Sequence, residues 1–73
     1  MDNRITIIDY IQQRTSIYVK LEVFDAEQRK LHTEEVRFLD DMLYGDLLHA
    51  ERSPLTDKCL KETIDCLRNY FSR

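Results

Sequence analysis

Hydrophobic and polar character alternates without a break over the eight residues from Ile17 to Phe24, with Ile17, Val19, Leu21 and Val23 on one side and Tyr18, Lys20, Glu22 and Phe24 on the other. Period-two alternation of this length predicts a strand with its aliphatic side buried, running to about Asp25. Upstream, residues 4–12 are dominated by β-branched side chains, which suit a pleated surface and lose rotamer freedom in a helix, so another strand is expected there. A short helix is the rival reading, because Ile7, Ile8 and Ile11 can share a helical face behind a cap at Asp2 or Asn3. Gln13–Ser16 is polar and turns the chain. Asp25–Arg29 has the composition of a hairpin connection, although without the Asn-Gly pair that would define its type.

From Lys30 the phase breaks. Leu31 has one parity and Val36 and Phe38 the other, so a strand here must divide its apolar residues between two faces or contain a bulge. Alternatively, Thr33 caps a helix with Glu34 and Glu35 in its first turn. Val36, Leu39, Leu43, Leu47 and Ala50 follow the helical period. The reading adopted is a third strand over 29–37 and a first helix from Leu39. Gly45 interrupts that helix at a cost of about 1 kcal/mol relative to alanine. It can end one helical piece ahead of Asp46, permit a close backbone approach, or simply be tolerated on an exposed face. Ser53-Pro54 reads as a cap followed by a first helical position, which starts a final helix over 54–71. Its stripe is Leu60, Ile64, Leu67 and Phe71, flanked by Cys59, Thr63, Cys66 and Tyr70. Asp57 and Lys61 form a favourable i,i+4 pair, and Arg68 and Arg73 lie near the negative end of the helix dipole. The expected architecture is therefore α+β in one domain spanning 1–73: a three-stranded antiparallel sheet covered on one face by two helices, in the order βββαα.

Composition changes this picture little. Of the 73 residues 42% are hydrophobic, and one Gly and one Pro interrupt the chain, so it reads as globular rather than disordered. A chain this short buries only about 60% of the surface that it exposes when unfolded, which favours self-association as a supplement to the core. The net charge of −3 disfavours nucleic acid as a partner, since phosphate backbones call for a basic footprint. Nothing approaches the roughly 20 apolar residues of a membrane span, and no apolar run follows the N-terminal residues as in a signal peptide, so a cytoplasmic protein is expected. Cys59 and Cys66 stand seven apart on the final helix, about 10 Å along its axis, which exceeds the Cα separation of about 7 Å that a disulfide tolerates. Both are expected to be free, buried thiols.

Candidate chemistry is sparse. His32 and His49 are the groups that could serve as acid or base near neutral pH, and neither stands in a recognisable relation to a cysteine or serine. A zinc site from His32, His49, Cys59 and Cys66 has the right ligand types, but a seven-residue cysteine spacing on a helix does not present two sulfurs to one metal. Glu34-Glu35 and Asp40-Asp41 are adjacent pairs whose side chains diverge in regular structure, so no carboxylate dyad follows. The expectation is no catalytic site, no metal and no cofactor.

Charge and aromatic content point to binding instead. Between Glu34 and Asp46 stand five carboxylates and one arginine, Arg37, interleaved with Phe38, Met42 and Tyr44. Glu34, Glu35, Asp40, Asp41, Tyr44 and Asp46 are thus candidate contacts for a protein with a basic surface, where charge would steer the encounter. Tyr18 and Phe24, opposite the aliphatic stripe, are candidates for self-association into a twofold dimer. The function expected, largely by exclusion, is that of a small acidic interaction protein of bacterial or phage type that acts as an inhibitor, adaptor or regulator. A subunit of a homo-oligomer is the first alternative. A sheet-based DNA-binding domain is the second, and it would need Arg4, Arg14, Lys20, Arg29 and Lys30 gathered on one face.

Overall fold

The computed structural model describes residues 2–73. Four antiparallel strands follow one another in space as in sequence: β1 (Arg4–Gln13), β2 (Ser16–Asp25), β3 (Lys30–Leu39) and β4 (Met42–Tyr44). A short 3₁₀ turn (Asp46–Leu48) and a loop lead to a single helix, α1 (Asp57–Phe71), which closes one face of the sheet. The class is α+β, with four strands and one helix rather than three and two. No helix among the described residues is long and apolar enough to cross a membrane.

β2 behaves as its alternation requires. Ile17, Val19, Leu21 and Val23 are buried and pair across to β3, where Val36 faces Val19 and Phe38 faces Ile17. β1 is a strand, not a helix, but its register slips between Ile7 and Asp9, leaving Ile8 as an extra residue. The bulge lies in β1, whereas β3 pairs with β2 without interruption. β3 therefore divides its apolar residues: Val36 and Phe38 enter the core and Leu31 lies on the other face.

The first expected helix is the main correction. After Leu39 the chain makes a two-residue turn at Asp40-Asp41, with Asp40 at φ 55°, and returns as β4, pairing Leu43 with Phe38. Such a hairpin puts Val36, Phe38 and Leu43 on one face and Leu39 on the other; Val36 and Leu43 belong to both this face and the helical spacing 36, 39, 43, so periodicity could not separate the two readings. Gly45 then carries the chain from the sheet across to the helix side. It sits at φ 150°, and a Cβ there would lie 2.9 Å from Cγ1 of Val36, so the glycine serves a close approach to β3. Beyond it, Leu47 and Leu48 from the 3₁₀ turn and Leu55 from the loop drop into the core.

The final helix begins later than Ser53-Pro54 suggests. The Ser53 hydroxyl accepts the Leu55 N–H (3.2 Å) in a local turn, and Thr56 is the residue that precedes the helix. Cys59, Thr63 and Leu67 are wholly buried beneath it, while Leu60, Ile64 and Phe71 pack on the core's margin. The apolar stripe is thus rotated by about one residue from its expected centre. Thr63 is accommodated by donating its hydroxyl to the Cys59 carbonyl (2.7 Å). The helix ends at Ser72, left-handed at φ 56°, whose N–H returns to the Arg68 carbonyl.

Candidate functional site

The single helix covers one face of the sheet and leaves the other open, and the pleat determines which side chains stand there. Reading across the four strands, Ile11 pairs with Tyr18, Tyr18 with Arg37, and Arg37 with Tyr44. The Arg37 guanidinium lies 5.9 Å from the Tyr18 ring centre and 5.8 Å from that of Tyr44, a cation held between two aromatic faces. Its Nε is buried and has no hydrogen-bond partner among the described residues. Beside this row, Leu39 pairs with Met42 and Ser16 with Leu39. On the other side, Asp9, Lys20 and Glu35 form a row of alternating charge. An open groove of about 390 Å³ runs over these rows between Asp9, Ile11, Tyr18, Lys20 and Glu35.

The acidic segment is not one helical face. Glu35 and Tyr44 are on the open face, whereas Glu34, a strand neighbour of Glu35, points to the helix side at an uncovered position. Asp40 and Asp41 form the turn at the end of the sheet, and their carbonyls accept hydrogen bonds from Arg73 (2.7 Å) and Arg68 (3.1 Å) at the end of α1. Asp46 lies in the 3₁₀ turn, 3.7 Å from Arg52, with both side chains exposed. Tyr18 and Phe24 share the open face as expected, but both are half-buried by neighbours rather than fully exposed. The basic residues that DNA binding would need do not gather. Arg4 and Lys20 lie on the open face among Asp9, Glu22 and Glu35, Arg14 and Arg29 occupy turns at opposite ends of β2, and Lys30 falls on the helix side opposite Asp25.

The histidines are apart in role. His32 is buried on the helix side, with Nε2 3.2 Å from Oε1 of Gln28, whose own amide donates to the Pro54 carbonyl (2.6 Å). His49 is exposed and accepts the Glu51 N–H through Nδ1 (3.2 Å). Among the described residues, no three His, Cys, Asp or Glu side chains come together as metal ligands. Cys59 is wholly buried and Cys66 half-buried, and both are free. Cys59 is packed in the core, where burial pushes its thiol up and the Asp25 carboxylate beside it pushes it further.

Asp25 is the group that sequence reasoning missed. It is wholly buried, and among the described residues no lysine or arginine stands within ion-pair distance. Four donors supply what a cation would: the N–H groups of Glu27 (3.2 Å) and Gln28 (3.3 Å) from its own turn, and the N–H (2.8 Å) and hydroxyl (3.0 Å) of Thr56 from the start of α1. Burial pushes this carboxyl up, but the hydrogen bonds outweigh burial and leave it below the ordinary carboxylate value. Asp25 thus ties the β2–β3 turn to the positive end of the helix, which is a structural role. The polar recess of about 460 Å³ beside it, between Asn3, Glu27, Arg29, Lys58 and Glu62, mixes both charges and is partly spanned by Asn3, which donates to Glu62 (3.1 Å) and accepts from the Ala26 N–H (2.8 Å).

No protein-family model matches this chain, and neither a curated protein nor a solved structure matches it.

Proposed function

We propose that this chain is a small protein-binding module, acting as an inhibitor, adaptor or regulator, and that it meets its partner with the open face of the sheet. The observation that carries this reading is the Tyr18–Arg37–Tyr44 stack, an arginine between two tyrosines on a face that no element of the chain covers. Tyrosine and arginine concentrate at the energetic centres of protein interfaces, tyrosine because it offers a broad amphipathic surface at small cost in conformational freedom, arginine because its planar cation both stacks and donates several hydrogen bonds. Arg37 is already ordered by its neighbours, so little flexibility is lost when a partner group packs on it.

Charge supplies the rim. Glu35 on the open face and Asp40 and Asp41 at its end border the stack with acid, which fits a partner that carries basic residues around an apolar or aromatic centre. Glu34 and Asp46 stand outside this surface. Rim charges act mainly on the encounter rate and the stacked centre on the lifetime of the complex.

Capture from the lysate of the native host, read by mass spectrometry, tests this. The native chain should enrich a protein that Arg37→Glu and Tyr44→Ala no longer hold, with the circular dichroism of both variants unchanged. With that protein in hand, reversing Asp40 and Asp41 to lysine should slow association and reduce its salt dependence. A captured protein indifferent to all these changes, or no specific capture, would overturn the proposal.

A further inference from the structure

The two edges of the sheet are protected unequally. On one side β4 covers only Arg37–Leu39 of β3, and the stretch 30–36, without a strand partner on that side among the described residues, is guarded by Lys30, Glu34 and Glu35, whereas β1 ends the other side with ten residues that contain neither proline nor lysine. Among the described residues, four of the seven exposed large hydrophobics gather along this one edge: Ile8, Tyr10 and Ile11, at 47, 46 and 57% exposure, and Tyr70, at 58%. Tyr70 comes from α1, a distant part of the chain, and its ring stands 6.2 Å from that of Tyr10. The edge is therefore flanked by apolar groups on both faces of the sheet.

We infer that β1 pairs antiparallel with β1 of a second copy about a twofold axis at Ile11, joining two four-stranded sheets into one of eight. This inference does not rest on the open-face reading of the function. The bulge determines where pairing occurs, because the shift at Ile8 puts residues 4–7 out of phase and leaves Asp9–Gln13 as the regular run before the turn. Ile11 is the midpoint of that run, so a twofold axis there uses all five residues. Centring on Tyr10 would bring the bulged Ile8 opposite Gln12, and centring on Gln12 would run the pairing into the turn.

The register is self-complementary. Asp9 faces Gln13 of the second copy, Tyr10 faces Gln12, and Ile11 faces its own equivalent, so no like charges oppose one another. Asp9 also comes beside Arg14 at the hairpin tip of the second copy, twice by symmetry. In the single chain the Tyr10 N–H is held by the Asp9 carboxylate (2.8 Å), a local substitute for the cross-strand carbonyl that pairing would supply. Pairing takes over that N–H and frees Asp9 to meet Arg14. Five residues of backbone pairing with a few flanking side chains bury less than the roughly 1,200 Å² of a stable interface, so the dissociation constant should lie at roughly 10–100 μM.

Sedimentation equilibrium from about 5 to 500 μM tests the inference, and the weight-average mass should rise from 8.8 kDa toward twice that value. Ile11→Lys, with unchanged circular dichroism, should weaken association at least about tenfold by placing two ammonium groups on the axis. Arg14→Asp should weaken it more modestly, and the double change Asp9→Arg, Arg14→Asp should restore it, which a general effect on folding would not do. A chain that stays monomeric throughout, a dimer indifferent to Ile11→Lys, or one abolished by Tyr18→Ala but not by Ile11→Lys would overturn the inference.

Discussion

The same strands make both faces of this sheet, and the two faces are composed on different rules. On the helix side, Val19, Leu21, Val23 and Phe38 have no contact with solvent, and Cys59, Thr63 and Leu67 of α1 complete the enclosure. On the open side, Tyr18, Phe24 and Arg37 are half-buried among strand neighbours that include Ile11, Leu31 and Tyr44 as well as charged residues in adjacent rows. The helix side keeps apolar groups from water and so carries stability. The open side spends aromatic and cationic side chains where they add little to folding, which is why it is the better candidate for recognition.

The sharpest way to break this comparison is to truncate one aromatic residue on each face. Phe38→Ala should cost about 3–5 kcal/mol in urea unfolding, enough to unfold much of so small a domain, while Tyr18→Ala should cost less than about 1 kcal/mol. Equal losses would mean that the open face is a second core.

Asp25 sharpens the contrast from the polar side, as a charge enclosed in the covered layer. Asp25→Asn keeps the shape but replaces one acceptor by a donor facing Thr56, and should cost roughly 2–3 kcal/mol. The pH dependence has a definite sign. The folded state holds this carboxyl below its ordinary value, so folding favours the ionised form. The contribution is complete above the unfolded-state value of about 3.9 and is lost as the pH falls through the lower folded-state value. Thermal melts from about pH 6 to pH 2 should show this acid loss in the native chain and a flatter profile in Asp25→Asn.

Gly45 marks the crossing from one face to the other, and its substitution should cost less than that of Phe38 or Asp25. Gly45→Ala would press a methyl group against Val36 at 2.9 Å, with φ at 150°, and should cost about 1–2 kcal/mol in the same urea measurement. A neutral result would show that β4 and the 3₁₀ turn move freely relative to β3.

Much of this architecture is legible in the residues themselves, for reasons that are local. The alternation in β2 encodes both its conformation and its buried side, and β-branched density distinguishes β1 from a helix. The stretch from Leu39 to Pro54 is not legible in this way. Its turn uses Asp40-Asp41 rather than a glycine, with Asp40 taking a left-handed conformation that aspartate tolerates but that does not by itself mark a turn. Arg14 and Arg29 do the same in the other two hairpins. Leu47 and Leu55 are in the core although neither belongs to a strand or an α-helix.

The candidate site divides along the same line. Which residues share the open face follows from strand parity alone, so Tyr18 and Phe24 could be placed there without coordinates. That Arg37 would lie between Tyr18 and Tyr44 depended on recognising β4, and that Asp25 would receive Thr56, 31 positions away, depended on where the helix docks. The first three strands, the buried aliphatic side and the final helix were determined by the sequence, because each is written in side-chain period and conformational preference over a few consecutive residues. The tertiary structure alone decided the fourth strand, the burial of Asp25 and the Tyr18–Arg37–Tyr44 stack, because each depends on partners far along the chain whose approach no local pattern encodes.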